Sequence, residues 1–214
     1  MKKSKKSILF LCLLTAISST LVQAEEYQLT PMKQSTSGVE LRLNGLYSSG
    51  RFVQNITKDD SSTIEKTSDL TTKGFSVLVG YAREYRKRDQ SSFFYVGYES
   101  QKWNDAYDSR YHAFIAGVEG GVGNAMVKFI YGGEFAFGAL DTGKDGLGYL
   151  STFTAEPYIG LRLLSSSGFS LNFRGGVRAY AIEGAKWEIT GGSVSSSNSA
   201  YSGNIQVGLG YQFH

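Results

Sequence analysis

Eight stretches of this chain alternate between apolar and polar residues with a period of two, and away from the ends of the stretches the charges keep to one parity. Successive side chains of a β-strand point to opposite faces, so a strict period of two predicts strands with two chemically different sides. The stretches are 38–53, 73–85, 91–103, 110–120, 126–140, 149–164, 169–182 and 200–213. In the first, Val39, Leu41, Leu43 and Tyr47 oppose Glu40, Arg42 and Asn44. In the fifth, Val127, Phe129, Tyr131, Phe135 and Phe137 oppose Lys128, Gly132 and Glu134. In the seventh, Phe169, Leu171, Phe173 and Val177 oppose Asn172, Arg174 and Arg178.

Alternation alone does not separate a soluble sheet from a membrane one; the placement of charge does. The polar parity carries Glu40, Arg42, Glu99, Glu119, Lys128, Glu134, Glu156, Arg162, Arg174 and Arg178, both signs in equal number and near mid-strand. The other parity is rich in Phe, Tyr, Val and Leu and almost free of charge. A Lys or Arg facing lipid at the bilayer midplane costs about 2–4 kcal/mol, so the charged parity is expected to face a lumen and the apolar parity lipid. No apolar run of the mature part is long enough for a spanning helix, and a membrane protein without such helices must close its hydrogen bonds as a barrel. The expected fold is all-β: a closed antiparallel transmembrane barrel of eight strands in an up-and-down meander. Such a barrel is just wide enough inside for side chains to fill it.

The connections alternate too. Those after the odd strands, 54–72, 104–109, 141–148 and 183–199, are longer than the even ones at 86–90, 121–125 and 165–168. Short periplasmic turns and longer outer loops are the pattern of outer-membrane barrels, and an even strand count returns both ends to the periplasm. Gly80, Gly97, Gly117, Gly132, Gly160, Gly176 and Gly208 fall on the inward parity, where they are expected to make room for long Arg and Glu side chains. Tyr85, Trp103, Tyr107, Tyr111, Tyr149, Tyr201 and Phe213 lie near strand ends and are expected to form interfacial belts. Leu78, Ile115 and Ile130 fit the inward parity poorly, and Pro157, which lacks a ladder donor, predicts a β-bulge.

The first 24 residues have the form of a secretory signal. Lys2, Lys3, Lys5 and Lys6 precede the apolar stretch 8–17, and Val22-Gln23-Ala24 places small residues where a signal peptidase reads, with cleavage after Ala24. Residues 25–37 read as a short periplasmic lead-in and 38–214 as the barrel. Of the 22 Lys+Arg, four lie in this leader, so the mature chain carries 18 against 19 Asp+Glu, and its charge gives no argument for nucleic acid. The single cysteine, Cys12, leaves with the leader, which excludes a disulfide or a thiolate site.

The chain ends Gln206-Val207-Gly208-Leu209-Gly210-Tyr211-Gln212-Phe213-His214. Gln206, Gly208, Tyr211 and Phe213 resemble the C-terminal signal read by the outer-membrane barrel-assembly machinery, with His214 as a departure, since the aromatic is usually last. Together with the leader and the seven upstream strands, 38–214 resembles the small OmpA-type barrel proteins. The resemblance implies an outer-membrane address and lipopolysaccharide, the assembly machinery and periplasmic chaperones as partners. No cofactor is expected.

Three functions fit such a barrel. A non-enzymatic surface-interaction protein would use the Ser-, Thr-, Asp- and Lys-rich loops 54–72 and 183–199 to hold an extracellular ligand. A narrow porin-like channel would use the charged lumen, though its balanced signs favour closure. A lipid-modifying enzyme would need a nucleophile, a base and an orienting group. The mature chain has only His112 and His214, and no Ser lies two residues beyond His112. The sequence therefore favours the first, with the channel as alternative.

Overall fold

The computed structural model describes residues 37–58, 62–85, 89–104, 108–143, 149–184, 186–189 and 192–213. The leader with its cleavage point at Ala24, the lead-in up to residue 36, and His214 lie outside the described residues, as does Tyr107.

Nine strands follow one another: β1 (Ser37–Lys58), β2 (Thr63–Tyr85), β3 (Gln90–Trp103), β4 (Arg110–Gly123), β5 (Val127–Asp141), β6 (Tyr149–Leu164), β7 (Phe169–Ile182), β8 (Lys186–Ile189) and β9 (Gly192–Gln212). Each of β1 to β7 pairs antiparallel with its successor in the ring, β7 pairs with β9, and β9 returns to β1. The ring therefore holds eight strands, as the periodicity predicts. The ninth, β8, stands outside it and pairs only with the start of β9.

The register never slips. Arg42 pairs with Leu78, and the path runs on through Gly97, Ile115, Ala136, Thr154, Tyr180 and Ala200 to Phe52, ten residues beyond its start. That stagger sets the tilt of the strands and the bore of the cylinder. The expected bulge at Pro157 is absent. The β6–β7 ladder skips Glu156 and Pro157 but resumes at Tyr158↔Gly176 in the register that it holds at Ala155↔Ala179. A missing N–H removes hydrogen bonds from the ladder; no residue is inserted.

The inside-out assignment holds. Val39, Leu41, Leu43, Phe94, Val96, Phe114, Phe135, Ile159, Val177 and Leu209 are all exposed on the outer face. Leu78, Ile115 and Ile130 are buried inside, so the parity outranks their apolar character. Trp103 and Tyr111 are not interfacial: both are fully buried and pack on Tyr180 within the lumen, with ring centroids 5.0 and 5.8 Å away. Tyr149, Tyr201 and Phe213 are exposed as belt residues should be.

The inward glycines do a different job from the expected one at most positions. A Cβ on Gly117 would meet the Tyr95 ring at 2.4 Å, one on Gly132 the Tyr158 hydroxyl at 2.6 Å, and one on Gly97 the Leu78 side chain at 2.6 Å. These glycines seat rings and an aliphatic chain. Gly176, against Glu156, does seat a charged one.

Candidate functional site

All ten charged residues expected in the lumen are there, none more than 4% exposed. They form two clusters stacked along the bore. Near the end that holds Ser37 and Phe213, the first and last described residues, Arg42 on β1 makes a two-pronged bond to Glu119 on β4, both N–O distances 2.9 Å. Its Nε donates to Glu40 at 2.7 Å, and Arg162 on β6 donates to the other Glu40 oxygen at 2.6 Å. The Arg42 guanidinium also lies 4.0 Å over the Phe93 ring.

Further along, Arg178 on β7 holds three carboxylates at once: Glu99 on β3, Glu134 on β5 and Glu156 on β6. Arg174 reaches Glu134 and the amide oxygen of Gln206. Asn204 donates to both oxygens of Glu156 at 2.9 Å. Two tyrosines join the clusters. Tyr95 donates to Glu134 at 2.9 Å, Tyr158 donates to Glu119 at 3.2 Å, and the two hydroxyls are 3.2 Å apart. Each arginine is planar with several fixed donors, which lets one side chain tie strands on opposite walls.

Lys128 differs from the other nine: it is buried but makes no hydrogen bond or ion pair with any described residue. Above the Arg178 cluster, Leu70, Trp103, Tyr111, Leu140, Tyr180 and Ile182 are buried together as an apolar plug. Tyr158, Asn204 and the plug residues are functional neighbours that motif reading misses. Their only sequence signal is parity: most fall on the same side of their strand as a lumen charge, while Leu70 and Asn204, on strands without one, share the parity of the buried Leu78 and Gln206.

The proposed C-terminal signal divides between the two faces. Gln206 and Gly208 look inward, Gln206 onto Arg174 and Gly208 against Asn44. Tyr211 and Phe213 look outward and pack edge to face at 4.8 Å. His112 is half-buried on the outer face, hydrogen-bonded through Nδ1 to the Tyr98 hydroxyl at 2.7 Å.

The loops expected at 54–72 and 183–199 are mostly strand. β1 and β2 stay paired as far as Thr57↔Thr63, β9 accompanies β1 up to Val194, and β8 adds a fourth strand. At 22 residues, β1 is about twice the 9–11 that a tilted strand needs to cross a bilayer. Its run of exposed apolar residues ends at Tyr47; Ser49, Arg51, Asn55 and Thr57 continue that face, with Val53 the one apolar residue among them and only partly exposed. The upper part of the β2–β1–β9–β8 sheet therefore projects beyond the lipid. The β2–β3 ladder begins only at Thr72, so Thr63 to Leu70 form an edge with β1 on one side and no described strand on the other.

A sealed ring with an apolar outside, a charged inside and its first and last described residues, Ser37 and Phe213, at one end decides the architecture. The chain has the fold of a small outer-membrane β-barrel. Solved structures similar to it include Neisserial surface protein A, 12% identical, with 85% of this chain and 100% of that chain covered at a TM-score of 0.47. The outer membrane protease OmpT from Escherichia coli is 8% identical, covering 88% and 99% at a TM-score of 0.43. Ail, the attachment invasion locus protein of Yersinia pestis, is 11% identical, covering 76% and 97% at a TM-score of 0.32. No family model matches the chain, and no curated protein matches it.

Proposed function

We propose that this outer-membrane barrel is a non-enzymatic surface-interaction protein, with the projecting β2–β1–β9–β8 sheet as its working part. One observation carries the reading: a sheet built well past the membrane with an open edge at Thr63 to Leu70. Unpaired backbone groups on such an edge can take up an extended segment of another protein as a further strand. Glu65, Lys66 and Asp69, exposed along it, would select the partner and discourage self-pairing. The outer surface of the ring is solvated by lipid and lipopolysaccharide. Gln206, Gly208, Tyr211 and Phe213 serve delivery, read by the assembly machinery after periplasmic chaperones have carried the chain across.

The channel reading gains no support from the lumen, where Arg178 ties three walls together and the Trp103–Tyr111–Tyr180 plug sits above it. Catalysis gains none from His112, whose bonded partner is a tyrosine on the lipid side. The test is a variant in which a two-residue turn replaces 51–69. It should keep its far-ultraviolet β-signal in detergent while cells bearing it lose attachment to host cells or matrix. Unchanged attachment would refute the role assigned to the sheet.

A further inference from the structure

Charge along the bore is balanced in total but not locally. The cluster at the terminal end contains three cations, Arg42, Lys128 and Arg162, and two anions, Glu40 and Glu119. The cluster above it contains two cations, Arg174 and Arg178, and three anions, Glu99, Glu134 and Glu156. At the terminal end both carboxylates are already spent. Glu119 receives both prongs of Arg42, and the two oxygens of Glu40 go to Arg42 and Arg162. Glu84, half-buried three strands round the ring from Lys128, holds a partner of its own.

What is left over at this mouth is mostly donors. Lys128 and Arg162 are direct cross-strand partners, so two like-charged side chains leave neighbouring positions on the same inward face. Such a pair is destabilising unless something negative joins it. Arg162 Nε and Gln212 Nε2 are buried with no acceptor. Gln212 pairs with Glu40, the carboxylate that Arg162 grips, so its amide belongs to the same end of the bore. Asn172, the other cross-strand partner of Arg162, offers an unpartnered Oδ1 that suits a protonated oxygen.

We propose that this mouth is an oxyanion site for a phosphate group, held by Lys128, Arg162 Nε and Gln212 Nε2. A tetrahedral oxyanion accepts several charge-assisted hydrogen bonds at once, and guanidinium, ammonium and amide donors converging on it match that chemistry. The site faces the periplasmic leaflet, so the phosphate comes either from a phospholipid headgroup or from free phosphate in the periplasm. This proposal is independent of the projecting sheet.

The experiment is urea unfolding of the full mature chain refolded in neutral maltoside micelles, with phosphate titrated against chloride at matched ionic strength. A second arm replaces free phosphate with micelles doped with phosphatidylglycerol. Binding to the folded state raises the folded-to-unfolded ratio about elevenfold at ten times the dissociation constant. A saturable rise with phosphate assigns the free anion, and a rise only with doped micelles assigns the headgroup. Lys128→Gln and Lys128→Met should abolish the response. Lys128→Glu, which brings its own carboxylate beside Arg162, should fold without needing either anion. No response of the wild type in both arms overturns the site, whatever the variants do; so does a response that Lys128→Gln and Lys128→Met both retain.

Discussion

The ring within the membrane and the sheet that rises out of it are the same strands obeying different rules. Along the lower part of β1, from Val39 to Tyr47, every second residue is exposed to lipid and uncharged, while the residues between are buried and, Leu46 apart, polar. Past Ser48 this contrast fades: both faces become polar or partly exposed, and on β2 every residue from Thr63 to Asp69 is exposed. In the ring, each position is fixed by lipid on one side and a packed interior on the other. In the sheet, position is fixed mainly by the backbone ladders, with few side-chain contacts such as Phe52 against the buried cluster, which leaves the exposed side chains from Thr63 to Asp69 available for other uses. The contrast separates residues that hold the molecule up from residues that can be spent on a partner.

The sharpest way to break that contrast is to attack the lumen. Arg178→Ala leaves Glu99, Glu134 and Glu156 without their shared cation, and removing one member of a buried charge network costs about 3–5 kcal/mol. Urea unfolding in detergent should show that loss in its midpoint. A charge on the lipid side comes next. Val96→Arg, on an outward residue in the middle of β3, should cost about 2–4 kcal/mol when the protein is unfolded from bilayers, and less in loose micelles. Gly117→Val presses a side chain into the Tyr95 ring and should cost about 1–3 kcal/mol, with Gly133→Ala as a milder control because its nearest neighbour is 3.7 Å away. Smallest of all, Thr67→Arg in the projecting edge should move the same midpoint by no more than about 0.5 kcal/mol while still altering partner attachment. A large stability loss at Thr67 would show that the sheet is part of the fold's support.

The ring was legible because the two sides of each strand meet media that could hardly differ more, lipid and a charged bore. β6 and β7 begin and end at the residues where their apolar alternation does. The extensions of β1, β2 and β9 were not, because Ser- and Thr-rich strands in water carry no such contrast and read as loops. Trp103 and Tyr111 were misplaced by their residue type: an aromatic near a strand end suggests a belt, whereas their parity, shared with Glu99 and Ala113, points inward. The ion-pair network was legible as a set of residues but not as partners. Which arginine meets which glutamate depends on the stagger of the ring, and that is set by pairings between strands far apart in the chain. Lys128 shows the limit: its parity placed it inside, but nothing in its neighbours revealed that the acids nearby were already taken.

The seam between β1 and β9 joins the first strand to the last along 19 paired residues, from Glu40↔Gln212 to Lys58↔Val194. Until that zipper shuts, a nearly finished sheet has two long raw margins, each able to recruit a neighbouring copy. Contacts so remote in the chain form slowly, because the polymer must first surrender the freedom of everything between them. The last act of biogenesis is thus also its most hazardous, and a catalyst that shields both margins until they meet would matter more to this molecule than any single side chain.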